Sequence, residues 1–173
     1  MSVLVFDTET TIASEHHGPA AKDPINDFHT LIFGQHEDNI IVEHRAEGFK
    51  RKPSERFWEL LLKSDILVGH NLSFDLPYIW HCPEFKEWLI NGGKIYDTQL
   101  AEYLISGQRH SFPSLAELQL IYLGEKVKQD RISKLYAKGI GADKMLAARD
   151  RCPRLFKLYD KYSNGIVTGK QCL

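Results

Sequence analysis

The 173-residue sequence is short of cysteine, of long apolar stretches and of net charge. Its three cysteines, Cys82, Cys152 and Cys172, are far apart and show no CxxC spacing, so we expect free thiols in a reducing compartment. No stretch approaches the roughly 20 apolar residues of a membrane span. The first residues lack the apolar run of a signal peptide. These absences predict a cytoplasmic protein without a membrane segment.

The net charge of −1 argues against a large basic face that grips duplex DNA. This net charge does not exclude nucleic acid as a partner, because a local acidic cluster would offset the charge of basic residues elsewhere in the chain. The chain is 43% hydrophobic, and a chain of this length can bury about 70% of its unfolded surface. No repeat, low-complexity segment or long linker divides it, so residues 1–173 are predicted to form one domain.

The predicted elements begin with three strands and continue with alternating helices and strands. The strands are predicted at 3–6, with an end at Asp7, and at 30–34, 39–44, 66–68 and from 95, with a hairpin turn at 35–38 and a loop over 13–28. The helices are predicted over 55–63, 75–80 and 98–105, after a capping box of Ser114 and Glu117, and over 143–162. This order predicts an α/β fold with a mixed sheet flanked by helices.

The first chemically informative motif is Asp7-Thr8-Glu9 at the end of the first predicted strand. Because side chains alternate along a strand, the two carboxylates point to the same side, about 7 Å apart. Hard divalent cations favour oxygen ligands of this kind. Ligand sites in open α/β sheets gather at the carboxyl ends of strands. A solvated strand end and a metal site both stay open for this pair.

The second motif is the segment 69–75, GHNLSFD, which follows the strand at 66–68. A strand, a glycine turn and a polar cluster that opens a helix form a frequent site geometry. Asp75 lies near the predicted helix start, where the helix dipole favours a negative charge. Helix capping by Asp75 is therefore an alternative to a functional role, and Asn71 is equally consistent with a plain turn residue.

A third feature lies on the last predicted helix, where Tyr162 shares a face with residue 166, one turn further on. That residue is Ile166. From the spacing alone, Tyr162 is either a core aromatic or a residue that faces a site.

Together these motifs resemble the DEDD family of 3'–5' exonucleases, which have a ribonuclease H-like fold. Asp7-Thr8-Glu9 matches the family's first motif, a DxE that follows a strand. Asn71 and Asp75 match the second motif, an Asn with an Asp four residues later. Tyr162 matches the start of the third motif in the subtype known as DEDDy.

The middle of the chain resembles the proofreading domains of family A DNA polymerases, and phage versions above all. The matching segments are Tyr96-Asp97-Thr98 through Leu104, Ser114-Leu115 and Leu123-Gly124. The resemblance covers nearly the whole chain, and for a phage-encoded protein it implies the host cytoplasm.

The resemblance implies a reaction and a set of roles. Two divalent cations, Mg²⁺ or Mn²⁺, would lie at the scissile phosphate, held by Asp7, Glu9 and Asp75, and Tyr162 would orient the attacking water. The substrate would be the 3' end of single-stranded DNA, with RNA as an alternative substrate. A separate DNA polymerase is a candidate partner. The residues implied in substrate binding are Thr8, His70, Asn71, Leu72 and Phe74.

The sequence departs from the family pattern at Ile166, where the fourth carboxylate is expected. One anionic ligand fewer predicts a weakened site in an intact fold. The sequence stops at Leu173, so we expect a shortened last helix. A natural member of low activity, an engineered substitution and a sequence change near the end are the open explanations. The alternative functions are a non-catalytic nucleic-acid-binding module, an RNA-trimming exoribonuclease and an interaction domain with no nucleic-acid role.

Overall fold

The computed structural model describes residues 1–10, 28–36, 38–44, 52–108, 111–124 and 157–158. The strands are β1 (Val3–Thr10), β2 (Phe28–Gly34), β3 (Ile40–His44), β4 (Ile66–Gly69) and β5 (Lys94–Asp97). The helices are α1 (Glu55–Leu62), α2 (Leu72–Ile79), α3 (Pro83–Ile90), α4 (Thr98–Ile105) and α5 (Leu115–Leu123).

The five strands form one mixed sheet in the order β3-β2-β1-β4-β5. β2 pairs antiparallel with both β1 and β3, as the predicted hairpin requires. β4 pairs parallel with both β1 and β5. Helices connect the parallel strands and flank the sheet, which confirms the predicted α/β, ribonuclease H-like architecture.

β1 is longer than the sequence predicts. It runs to Thr10 instead of ending at Asp7, because the antiparallel ladder with β2 continues through Asp7, Thr8 and Glu9. The parallel ladder with β4 ends earlier, at Val5. The two acidic residues therefore lie inside a strand but beyond the end of its parallel neighbour.

Two other boundaries and one helix differ from the sequence-based expectation. α2 begins at Leu72, not at Asp75, and β2 begins at Phe28, inside the stretch predicted as a loop. Helix α3 is absent from the expectation, although Pro83 occupies a favoured position in its first turn and Trp88 anchors it in the core. Short helices without a long amphipathic period give too weak a pattern to identify.

The sheet separates two apolar clusters. Strand alternation directs the even-numbered residues of β1 toward α1, α2 and α3, and the odd-numbered residues toward the other face. The larger cluster includes Leu4, Phe6, Leu31, Phe33, Phe57, Leu61, Tyr78, Phe85 and Trp88. The smaller cluster consists of Val5, Ile32, Ile66 and Val68, with Leu115 of α5 packed against it.

Gly69 allows the end of β4 and the start of α2 to approach closely. A Cβ at this position would lie 2.2 Å from Leu72 Cδ2 and 3.3 Å from the carbonyl oxygen of Phe6. Leu72 consequently packs in the core, where it is 2% exposed. The missing side chain of Gly69 therefore brings the first turn of α2 against the sheet.

Two predicted helix caps are present. The Ser54 hydroxyl accepts a hydrogen bond from the Phe57 amide, and Ser114 forms a capping box with Glu117. The last predicted helix lies outside the described residues except at positions 157 and 158, which are helical. In the described stretches, no helix has the length and apolar character needed to cross a lipid bilayer.

Candidate active site

The two sequence motifs meet at the carboxyl ends of β1 and β4. The parallel pairing of these strands ends at Val5 and Val68. Beyond this point, β1 continues to Glu9, while the chain after β4 turns into α2. The segment from Asp7 to Glu9 and the first turns of α2 therefore lie side by side, as expected for a ligand site in an open α/β sheet.

Asp75 is bonded directly to the first motif. Its Oδ1 accepts hydrogen bonds from the Thr8 backbone N–H at 3.0 Å and from the Thr8 hydroxyl at 2.5 Å. Both residues are 3% exposed, so these bonds are buried. Thr8, the middle residue of the DxE motif, thus fixes the position of Asp75 relative to the two acidic residues on either side of it.

The electrostatic environment of Asp75 is unfavourable for its charged form. Burial raises the pKa of Asp75 well above its ordinary value, and the negative charges of Asp7 and Glu9 raise it further. The two hydrogen bonds from Thr8 act in the opposite direction without outweighing these effects. Asp7, Asp75 and the buried Glu9 therefore form one interacting anionic cluster.

The chemistry of this cluster suits a hard divalent cation, because a cation would relieve the repulsion among the carboxylates. In the described part of the chain, no group of three or more His, Cys, Asp or Glu side chains is placed so that it could hold a metal ion. Mg²⁺ is usually held by one or two carboxylates together with water and substrate phosphates, so the donors present fit such an ion.

The turn between β4 and α2 has an unusual backbone conformation. Asn71 adopts a left-handed conformation with φ of 60°, and its side chain makes no cap hydrogen bond to α2. Asp97 replaces that cap, since its carboxylate accepts from the backbone N–H groups of Asn71 at 3.0 Å and Leu72 at 2.8 Å. The helix-capping alternative for Asp75 is therefore incorrect, because Asp97 performs that role.

Thr98 ties the same turn to the start of α4. Its buried hydroxyl donates to the Gly69 carbonyl at 3.1 Å and lies 2.9 Å from His70 Nδ1. Thr98 therefore links His70 to the backbone at the end of β4.

The residues implied in substrate binding differ widely in accessibility. Asn71 is exposed, and His70 and Phe74 are half-buried. Thr8 is buried with its hydroxyl on Asp75, and Leu72 is part of the larger apolar cluster. Asn71, His70 and Phe74 are therefore available to a bound molecule, whereas Thr8 and Leu72 support the site from within.

Tyr162 and Ile166 lie outside the described residues. The sequence-based expectation that they occupy the third motif stays a prediction.

Asp97 and Thr98 are site residues to which the sequence reasoning assigned no role. For Asp97, the sequence offers one local indication: an Asp directly before a predicted helix is a favoured N-cap. Asp97 does cap α4 through the amides of Gln99 and Leu100. Its second set of bonds, to α2, joins residues 25 and 26 positions apart and has no sequence signature.

Solved structures with a similar fold include one described as a nuclease and others of Brucella melitensis NrnC. A structure described as the apo form of a nuclease aligns with a TM-score of 0.67 and 16% identity. Brucella melitensis NrnC bound to pGG gives 0.65 and 16%, and Brucella melitensis NrnC with bound Mg²⁺ gives 0.62 and 14%. Each alignment covers 99% of this chain and 79% of the other. The chain matches no protein-family model and no curated protein sequence. At these identities the similarity shows a shared ribonuclease H-like fold.

Proposed function

We propose that this chain is a metal-dependent 3'–5' exonuclease of the DEDDy type, with residues 1–173 as one exonuclease domain. The observation that carries the proposal is the anionic cluster of Asp7, Glu9 and Asp75 at the carboxyl ends of β1 and β4. Burial and repulsion raise the pKa of Asp75, so the cluster is costly unless a cation binds there. The fold, shared with a structure described as a nuclease, supports the proposal.

In this proposal Asp7, Glu9 and Asp75 provide oxygen ligands for two divalent cations, Mg²⁺ or Mn²⁺. When bound, such a pair stabilises the attacking and the leaving oxygen of a phosphodiester. Thr8 holds Asp75 in place through its two hydrogen bonds. Tyr162 orients the attacking water, and the exposed Asn71, with His70, contacts the terminal nucleotide. A neighbour with bound Mg²⁺ supports the choice of cation.

The substrate is the 3' end of a short single-stranded nucleic acid. We favour DNA on the resemblance to polymerase proofreading domains, and association with a separate polymerase stays a prediction from the same resemblance. RNA is the second candidate, and a structure of similar fold, Brucella melitensis NrnC, is bound to pGG. A deoxy and a ribo substrate differ at the 2'-hydroxyl, so matched oligonucleotides separate the two.

The direct test uses DNA and RNA oligonucleotides of one sequence, labelled at the 5' end, with Mn²⁺ and the purified chain. We expect a ladder of products shortened from the 3' end, no products when the 3' end is blocked, and none with a chelator. Asp7→Asn should abolish the ladder. Asp38→Asn is the matched control, since Asp38 is an exposed acid in the turn between β2 and β3. Binding without any product would instead support the non-catalytic module, with an affinity that falls as salt rises.

Ile166 gives a second test of the same proposal. If position 166 faces the metal site, Ile166→Asp adds an oxygen ligand and should raise activity at limiting Mn²⁺ by about tenfold or more. Ile166→Ala is the control, because it shortens the side chain without adding a ligand. Equal activity in the two variants would remove residue 166 from the site.

A further inference from the structure

One carboxylate, that of Asp97, joins the starts of two helices. Its Oδ1 accepts from Gln99 N–H at 2.9 Å and Leu100 N–H at 3.4 Å in α4, and from Asn71 N–H at 3.0 Å. Its Oδ2 accepts from Leu72 N–H at 2.8 Å in α2. Bonds from N–H groups to an ionised carboxylate are among the strong hydrogen bonds of proteins. Asp97 therefore satisfies the first amides of both helices.

The sheet register explains why one residue reaches both helices. β4 and β5 are parallel neighbours, and Gly69 is paired with Asp97. The two strands therefore end at the same level, and both helices begin just beyond it. Thr98, the next residue, donates to the Gly69 carbonyl and contacts His70. The Asp97–Thr98 pair consequently bonds every residue of the turn from Gly69 to Leu72.

Resting on the proposed function, we infer that Asp97 is a positioning residue, which holds the first turn of α2 so that Asp75 stays beside Asp7 and Glu9. Asp75 follows Leu72 by three residues, which is within one helical turn. Asn71 provides no side-chain cap of its own. The amides that set the direction of this turn are those of Asn71 and Leu72, and both point at Asp97.

Two substitutions separate the two tasks of Asp97. Ser is as good an N-cap as Asp, so Asp97→Ser can still cap α4, but its single shorter oxygen cannot also reach the amides of α2. Asp97→Asn keeps one oxygen but places an NH₂ group against the Leu72 N–H. Both groups are donors, so no hydrogen bond can form between them. Both variants therefore release the first turn of α2, and Asp97→Ser does so at little cost to α4.

Ser114→Ala is the matched control, because it removes an N-cap from α5, which carries no proposed site residue. For each protein we would measure Mn²⁺ affinity by electron paramagnetic resonance, kcat and KM on a short single-stranded oligonucleotide, and amide hydrogen exchange at residues 71–75. We expect Asp97→Ser to lower Mn²⁺ affinity and kcat by about 10- to 100-fold, with KM little changed. Exchange at 71–75 should rise at least about tenfold in Asp97→Ser and stay at the wild-type level in Ser114→Ala.

The inference is overturned if Asp97→Ser behaves like Ser114→Ala, with a lower thermal midpoint but wild-type Mn²⁺ affinity, kcat and exchange at 71–75. If the wild-type chain degrades no oligonucleotide, the proposed function fails, and the exchange comparison decides the role of Asp97 by itself. If Asp97→Ser does not fold, Asp97→Asn replaces it in the same comparison, with the same expected and overturning results.

Discussion

Two aspartates, Asp75 in the first turns of α2 and Asp97 at the end of β5, have opposite surroundings. Asp97 accepts backbone N–H groups from the starts of two helices, so its charge stabilises the local structure. Asp75 is buried beside two further carboxylates, and its only hydrogen-bond donors in the described residues belong to Thr8. Under the proposed function, the difference separates a carboxylate that stabilises local structure from one that binds a cation.

The contrast also shows why one of the two aspartates contributes to stability and the other to the proposed function. An anionic cluster costs free energy in the protein alone and is retained where binding or catalysis requires it. Asp97 and Thr98 contribute bonds that fix the turn before α2, the helix that carries Asp75. Substitutions at the two aspartates should therefore change different properties.

The largest expected effect is the loss of activity in Asp75→Asn. The amide keeps an oxygen to accept both bonds from Thr8 but removes the negative charge. We expect kcat for oligonucleotide degradation to fall by roughly 100- to 1000-fold, the size found when one preorganised electrostatic group is lost. Single-turnover degradation at saturating Mn²⁺ measures this. Activity within threefold of wild type would place the chemistry elsewhere.

The next largest effect is a loss of stability in Thr98→Val, at the residue that follows Asp97. Thr98→Val keeps the shape of a side chain that is fully buried but removes the hydroxyl that bonds Gly69 and His70. A buried carbonyl left without a donor costs about 1–3 kcal/mol. Urea unfolding should show this loss. Thr98→Ser, which keeps the hydroxyl, is the control and should restore the exchange protection of residues 69–72.

A smaller effect of opposite sign is expected in the stability of Asp75→Asn without metal. An Asp with a raised folded-state pKa binds its proton more tightly in the folded protein, so its contribution is present at low pH and is lost as pH rises through that pKa. At neutral pH, Asp75→Asn should therefore melt about 2–4 °C higher than wild type, the shift that ~1 kcal/mol produces in a chain of this size. The advantage should shrink below the ordinary Asp range.

Adding Mn²⁺ should reverse that order, because only the wild-type cluster binds the ion tightly. An ion at 100 times its Kd stabilises the folded state by about 2.7 kcal/mol. Thermal melts of both proteins, with and without Mn²⁺ at neutral pH, provide the comparison. A metal-free Asp75→Asn that is less stable than wild type at every pH would contradict the description of Asp75 as a strained carboxylate.

The smallest effect is a stability change without a change in activity. Ser114→Ala removes the cap of α5, and such substitutions cost about 1 kcal/mol. Degradation per folded molecule should stay at the wild-type level. A parallel fall in activity would show that α5 takes part in the site.

Local patterns were enough to predict much of the fold. The apolar runs identified the strands, and the hydroxyls of Ser54 and Ser114 identified two helix starts. The end of β1 was misplaced because its extension depends on pairing with β2, which a single strand's sequence does not show. For the same reason the sequence predicts a start of α2 at Asp75, since the cap at its observed start, Leu72, comes from Asp97 on the neighbouring strand β5.

In the candidate site too, local patterns predict some features, whereas others depend on tertiary contacts. The spacing of Asp7 and Glu9 and the polar turn before Asp75 drew attention to three residues that do interact electrostatically. The bond between Thr8 and Asp75 joins residues 67 positions apart, so only the tertiary structure reveals it. Leu72, which the resemblance implies in substrate binding, is buried, and its burial depends on the missing side chain of Gly69.

The most direct test is a crystal structure of the chain with Mn²⁺, using anomalous scattering to locate the ions. The account predicts Mn²⁺ at the carboxyl ends of β1 and β4, with oxygen atoms of Asp7 and Asp75 or Glu9 at coordination distance and no ion at Asp97. Mn²⁺ bound elsewhere, with Asp7, Glu9 and Asp75 left without an ion at saturating concentration, would contradict it.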